Sequence, residues 1–190
     1  ADATAIYLRK KNYKKIYVFG TESLKMQFKS EGLNICDSLE DDIDCLCMGF
    51  DTELTFKKLE DACILLGKGV DYIATNPDWV CPTWYGFVPD CGSVSEMLYN
   101  ATKRRPAFIG KPEPTMAELA LEKTGYQKND AVLIGDRLYT DIACGINAGI
   151  DACFVLSGEG TLEDLKTSET QPTMVYENIR SLLNAMKTAD

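Results

Sequence analysis

Ala131-Val132-Leu133-Ile134-Gly135-Asp136-Arg137-Leu138-Tyr139-Thr140-Asp141 opens as a short apolar run and leaves it through Gly-Asp. A run of that length bounded by glycine predicts a buried strand, and the residues after it predict a helix running to Gly149. A second apolar run, Asp151 to Leu156, predicts another strand. Strand, helix and strand in this order are the unit of α/β architecture with parallel sheets.

The same alternation extends outward in both directions. Toward the N-terminus, Asp2 is expected to cap a first helix ending in Arg9, Lys10 and Lys11, and Lys15 to Gly20 reads as a strand. Thr21 is expected to cap a helix carrying Leu24 and Phe28, stopped by Gly32. Cys45 to Phe50 and Val70 to Thr75 read as strands around a helix opened by Thr55, with Phe56, Leu59, Cys63 and Leu66 on one face. Trp79 to Asp90, with Pro82, Gly86 and Pro89, is expected to be a loop or hairpin. Capping boxes are expected at Ser93/Glu96 and at Thr115/Glu118. Lys103-Arg104-Arg105-Pro106 marks a domain junction, after which Ala107 to Ile109 reads as the first strand of a second domain. Beyond Leu156, Thr173 to Tyr176 reads as a short strand with a helix after it. No repeat or low-complexity segment interrupts the pattern.

Composition narrows the chemistry. The 190 residues are 45% hydrophobic and 26% charged, enough to bury real cores and too apolar for disorder. A net charge of −9 disfavours binding to nucleic acid or to an acidic membrane surface. No apolar stretch approaches a membrane span, and no signal peptide is visible. Histidine is absent, which excludes Ser-His-Asp and Cys-His catalysis and His-ligated zinc. The eight cysteines form no CxxC pair and mostly sit in apolar runs, so buried thiols in a reducing cytoplasm are expected. Cys81 and Cys91, which bracket a loop, are the one pair to inspect for a disulfide.

Three features lie just beyond predicted strands, where ligands bind in open parallel sheets. In Gly135-Asp136 and Asp141, carboxylates at a strand end can hold a hard cation such as Mg²⁺, although turn acids beside a helix start need no ligand to explain them. In Gly110-Lys111-Pro112-Glu113-Pro114, prolines fix the backbone around one lysine, which suits a phosphoryl group but equally suits a plain turn; the glycine spacing of a P-loop is absent. Asn76-Pro77-Asp78 holds ordinary turn residues.

The conjunction is more specific than its parts. Ile109-Gly110-Lys111-Pro112-Glu113-Pro114, Leu133 to Asp141, Gly145-Ile146-Asn147-Ala148-Gly149 and Val155-Leu156-Ser157-Gly158 together resemble the haloacid dehalogenase (HAD) phosphatase superfamily. Ala74-Thr75-Asn76-Pro77-Asp78 narrows the resemblance to the NagD-like, p-nitrophenyl phosphatase-like branch (subfamily IIA), which has a large α/β cap. The resemblance implies a cap over residues 1–105 and the C-terminal half of a HAD-like Rossmannoid core over residues 106–190. It also implies Mg²⁺-dependent hydrolysis of a small phosphorylated metabolite through an aspartyl-phosphate. By position, Lys111 matches the lysine that neutralises the transferring group and Asp136 the Mg²⁺ ligand. Asp141 matches the second acid, which reaches the metal through water. Arg137 and Thr140 line the same pocket by adjacency, and Asn76 and Asp78 match a cap loop near the entrance.

The family's nucleophile, Asp-x-Asp after an apolar strand, has no match among these residues. Asp51-Thr52-Glu53 and Phe19-Gly20-Thr21 imitate parts of the motif set in reversed order, and their simpler roles as turn and helix caps suffice. The chain is therefore expected to be inactive alone and to present open strand edges near 107–109, 131–135 and 151–156. A non-catalytic phosphate- or metal-binding module is the alternative. So is a dimerisation module, in which Trp79, Trp84, Tyr85 and Phe87 would form the patch of a homodimer, although half-buried packing of these rings is the simpler expectation.

Overall fold

Thr21 and Thr55 each accept a hydrogen bond from the backbone N–H three residues on, as expected of helix caps, and they set the first half of the fold in place. The computed structural model describes residues 1–188. The chain divides into two compact units, Ala1–Gly110 and Lys111–Asp190.

The first unit runs α1 (Asp2–Lys11), β1 (Ile16–Phe19), α2 (Glu22–Ser30), β2 (Ile35–Cys36), β3 (Cys45–Met48), α3 (Phe56–Lys68) and β4 (Asp71–Ala74). It continues with β5 (Val80–Thr83), β6 (Gly86–Pro89), α4 (Cys91–Thr102) and β7 (Ala107–Phe108). Five strands form one parallel sheet in the order β2-β1-β3-β4-β7. Alternate residues of β1 and β3 feed two different cores. Tyr17, Phe19, Leu46 and Met48 pack with Leu65 and Leu98 from α3 and α4. Ile16, Val18, Cys45 and Cys47 pack with Ala5, Leu8 and Phe28 from α1 and α2. A strand buried on both faces must be apolar throughout, which is why these runs show no alternation in sequence.

The segment left open as loop or hairpin is an antiparallel hairpin, β5 against β6. Its inward face (Cys81, Thr83, Val88) is half-buried, whereas Val80, Pro82, Phe87 and Pro89 on the other face are exposed. Pro82 and Pro89 fit because a two-stranded ribbon has edges on both sides.

The second unit runs α5 (Thr115–Thr124), β8 (Val132–Gly135), α6 (Ala143–Ala148), β9 (Asp151–Val155), α7 (Leu162–Thr167), β10 (Met174–Tyr176) and α8 (Ile179–Thr188). Its parallel sheet has the order β10-β9-β8, with Ala152, Cys153 and Phe154 of the central strand fully buried. Phe154 packs with Leu138 and Ile142, and Ala117 of α5 packs with Cys144 and Ala148 of α6.

Several expectations differ from the structure. The strand after Lys103-Arg104-Arg105-Pro106 pairs with β4, through Ile73↔Ala107 and Ala74↔Phe108, so the division falls after Gly110 rather than at 105/106. Asp90, not Ser93, caps α4, its carboxylate accepting from the Cys91 N–H at 2.6 Å. Ser93 and Glu96 are engaged elsewhere, with the Trp79 carbonyl and Arg105. No side-chain cap forms at Thr115, because the helix enters from Pro114 already in αR geometry, whereas a capping residue needs extended backbone. Asp2 lies inside the first turn of α1 and accepts from Gln27 Nε2. The two-residue β2 and the six-residue α7 are too short for periodicity to find. The cysteines, by contrast, agree with expectation: all eight are unpaired, Cys81 and Cys91 included. The strand at 131–135 is not buried: β8 pairs with β9 alone among the described residues, leaving Val132 45% and Ile134 40% exposed.

Candidate active site

Gly135 ends β8, and the chain then makes a single π turn, Leu138–Ile142, before α6. That turn swings Asp141 back beneath the strand end. A Cβ on Gly135 would lie 2.1 Å from the Asp141 Cβ, so only glycine permits the approach. Asp141 Oδ2 accepts from the backbone N–H groups of Asp136 (3.2 Å) and Arg137 (3.1 Å). Its Oδ1 takes the Lys111 ammonium in an ion pair. Lys111 precedes Pro112 across a cis peptide bond. The turn at Pro112 and Glu113 is stitched to α6, with Asn147 Nδ2 donating to the Pro112 carbonyl at 2.9 Å and Cys144 Sγ to that of Glu113 at 3.2 Å.

Asp136 is held from the other side by the loop after β9. The N–H of Glu159 donates to Asp136 Oδ2 at 2.8 Å, and that of Gly160 to the Asp136 carbonyl at 2.9 Å. A Cβ on Gly158 would lie 2.0 Å from Asp136 Oδ2, so the loop closes on the carboxylate only because no side chain intervenes. The Glu159 carboxylate accepts from Arg137 Nε at 2.6 Å and from the Tyr139 hydroxyl at 3.0 Å. The Glu159 carboxylate and burial act in opposite directions on Arg137, and the first prevails, raising the pKa of the guanidinium. Arg137, Tyr139 and Glu159 line a cleft of about 260 Å³ with Leu138, Gly160 and Asp164. Glu159 has no counterpart among the sequence expectations; the paired glycines Gly158 and Gly160 just after a strand were the available signal.

The structure thus brings Lys111, Asp136, Arg137 and Asp141 together in the second unit. Thr140 sits beside them in sequence but is buried, and its hydroxyl has no hydrogen-bond partner among the described residues. Asn76 and Asp78 belong to the first unit, at the C-terminal end of β4. There Asn76 Oδ1 accepts from the Asp78 N–H at 3.2 Å, and the Asp78 carbonyl accepts from Gly92 of α4 at 2.8 Å. The imitations of the nucleophile and phosphate motifs keep their simpler roles. Asp51 accepts from the Glu53 N–H and from Lys58 Nζ, and Thr21 caps α2.

Two carboxylates against glycine backbone, with no thiol or imidazole among them, make a hard oxygen donor set that fits Mg²⁺ better than a soft metal. Asp141 has both oxygens occupied, whereas Asp136 Oδ1 accepts no hydrogen bond among the described residues. No group of three or more His, Cys, Asp or Glu is placed to hold a metal among the described residues. The residues present could therefore supply part of an octahedral shell, Asp136 Oδ1 being the carboxylate oxygen left open.

The HAD-hydrolase-like family model matches residues 108–182. An acid sugar phosphatase of Staphylococcus haemolyticus is 33% identical over 186 residues, covering 97% of this chain and 70% of that protein. A 4-nitrophenylphosphatase from Thermotoga maritima superposes with a TM-score of 0.89 at 42% identity, covering 96% of this chain and 70% of that one. A glycerol phosphate phosphatase from Mycobacterium tuberculosis, solved in complex with calcium, superposes with a TM-score of 0.88 at 29% identity, covering 95% of this chain and 54% of that one. With parallel α/β sheets, a Gly-Asp strand end and relatives of this closeness, the chain belongs to the HAD-like phosphatases, on their NagD-like, p-nitrophenyl phosphatase-like branch.

Proposed function

We propose that this chain serves the Mg²⁺-dependent hydrolysis of small phosphate monoesters, sugar phosphates foremost, through an aspartyl-phosphate whose aspartate comes from outside these 190 residues. The observation that carries the proposal is the Lys111–Asp141–Asp136 arrangement at the C-terminal end of β8. Lys111 presents a fixed ammonium to the transferring phosphoryl group. Asp141 orients that ammonium and pins the two backbone amides ahead of the π turn, and it would help hold the cation. Asp136 Oδ1 would hold the cation, and Mg²⁺, when bound, would supply positive charge that stabilises the phosphoryl oxygens. Arg137, which lines the cleft, meets substrate oxygens.

We read the first unit as the cap and the second as the C-terminal half of the core. Asn76 and Asp78 then stand on the cap loop that influences substrate choice. The open edge of β8 is where a further parallel strand, the one bearing the nucleophile, pairs. Unpaired thiols support a reducing, cytoplasmic setting, and no helix among the described residues is long and apolar enough to cross a membrane.

Phosphate release from p-nitrophenyl phosphate and from sugar phosphates, with Mg²⁺ and with chelator, tests the reading beside Asp136→Asn. The chain alone should show no turnover above the variant, and Mg²⁺ binding by calorimetry should be lost in the variant. Magnesium-dependent turnover by the chain alone would place a nucleophile among these residues. Unchanged Mg²⁺ binding in Asp136→Asn would remove the cation site.

A further inference from the structure

Glu159 links Asp136 to two side chains beside it, Arg137 and Tyr139. Its backbone N–H binds one Asp136 oxygen, and its carboxylate holds Arg137 through Nε and Tyr139 through the hydroxyl. Arg137 directly succeeds Asp136 in the chain. An unpaired guanidinium there is a planar, permanently charged donor, and the Asp136 carboxylate is among the negative charges that already act on it. Such a pair would occupy the oxygen that a cation needs, and its charge would repel the cation.

We propose that Glu159 is a positioning residue for the cation site: by engaging Arg137 it keeps the guanidinium off Asp136 and leaves Asp136 Oδ1 open to a divalent cation. The inference rests on the reading of Asp136 as a cation ligand. It adds a counter-charge role for a residue outside the strand-end motifs. The side chains of Arg137 and Glu159 are 36% and 51% exposed, so their ion pair contributes little to folding and its removal leaves the fold intact.

Calorimetric titration of Mg²⁺ into the chain and its variants tests this. Glu159→Gln should weaken Mg²⁺ binding about tenfold, the scale of one unit charge brought within a few ångströms of the site. Arg137→Gln should bind Mg²⁺ at least as tightly as the starting chain, and Arg137→Gln/Glu159→Gln should recover the starting affinity. An unchanged affinity in Glu159→Gln, or a double variant as weak as Glu159→Gln, overturns the proposal. Asp136→Asn separates the two readings. If it keeps Mg²⁺ binding, the site itself is wrong; if it loses binding while Glu159→Gln does not, only the role of Glu159 is wrong. A second readout needs no metal. The Arg137 Nε–H resonance in ¹⁵N NMR should stay protected in Glu159→Gln, through re-pairing with Asp136, and lose protection in Asp136→Asn/Glu159→Gln. Fast exchange already in Glu159→Gln would show that Arg137 does not turn onto Asp136, and the proposal would fail.

Discussion

Lys111 and Asp141 form an ion pair whose two members are anchored unequally: Asp141 also accepts two backbone N–H groups, while Lys111 has no other hydrogen-bond partner among the described residues. Removing the acceptor should therefore cost more than removing the donor. Asp141→Ala strands two N–H groups and a cation, a loss of about 2–3 kcal/mol. Lys111→Met leaves a carboxylate that keeps both amides, a loss of about 1 kcal/mol. Urea unfolding of the two variants checks the order. Equal or reversed losses would mean that the amide contacts contribute nothing.

Gly158→Ala tests the loop that closes on Asp136. The new Cβ would fall 2.0 Å from a carboxylate oxygen, so either Asp136 or the loop must move. Overpacking of this kind costs about 1–3 kcal/mol, and the displaced carboxylate should bind Mg²⁺ weakly. Retained stability together with retained Mg²⁺ affinity would show that the loop yields without disturbing Asp136.

How much of this site could be read in sequence depends on whether a residue's role is local. Lys111, Asp136 and Asp141 stand just after strands and carry their roles in their immediate surroundings, so the strand ends located them. Glu159 acts across the sheet on Arg137, a pairing created only when β9 lies beside β8; the glycines on either side of it mark a tight loop but not its partner. The fold shows the same division. Runs such as Cys45–Met48 are buried on both faces and declare themselves. The placement of Ala107–Phe108 could not be deduced, because an apolar strand beside a charged turn fits either sheet and only pairing with β4 decides. A Ser or Thr with Glu three residues on matches a capping box whether or not the backbone enters the helix there, so the pattern misplaces the helix starts at Asp90 and Pro114.

Alkaline pH should destabilise the chain through its buried thiols. Burial pushes Cys47 and Cys91 up to about 12 and Cys36 up to about 11, from an ordinary value of 9.0. A folded-state pKa above the unfolded one means that the native state holds protons the unfolded state releases. The stabilisation is complete below pH 9 and is lost as pH rises toward 11–12. Circular dichroism across that range should show a falling unfolding temperature, with Cys47→Ala less sensitive to pH than the starting chain. A flat profile from pH 8 to pH 11 contradicts the assignment.

Trp84 and Phe87 lie on the hairpin at 94% and 72% exposure. If water covers that face, Trp84→Ser and Phe87→Ser should each change stability by less than about 0.5 kcal/mol. Losses near those of a core truncation would show that another surface covers the hairpin, as a second copy in a homodimer would. Sedimentation of the same variants would then report the change in mass.

The outer edge of β8 should govern association. The strand pairs with β9 on one side, and among the described residues no strand pairs with its other edge, beside which Val132 and Ile134 are half-exposed. Met116, Ala120, Leu121 and Tyr126 continue the apolar surface in a groove of about 290 Å³. Open strand edges flanked by apolar side chains pair with other chains unless a charge or a cover intervenes. The chain should therefore associate with rising concentration, read by light scattering as a mass above 21.1 kDa. Ile134→Lys should suppress that association, because a lysine at the edge must be desolvated before a second strand can add. Its stability cost should be small at a position already 40% exposed. A monodisperse monomer at every concentration would mean that the edge is protected without a partner strand, and the pairing role assigned to β8 would have to be withdrawn.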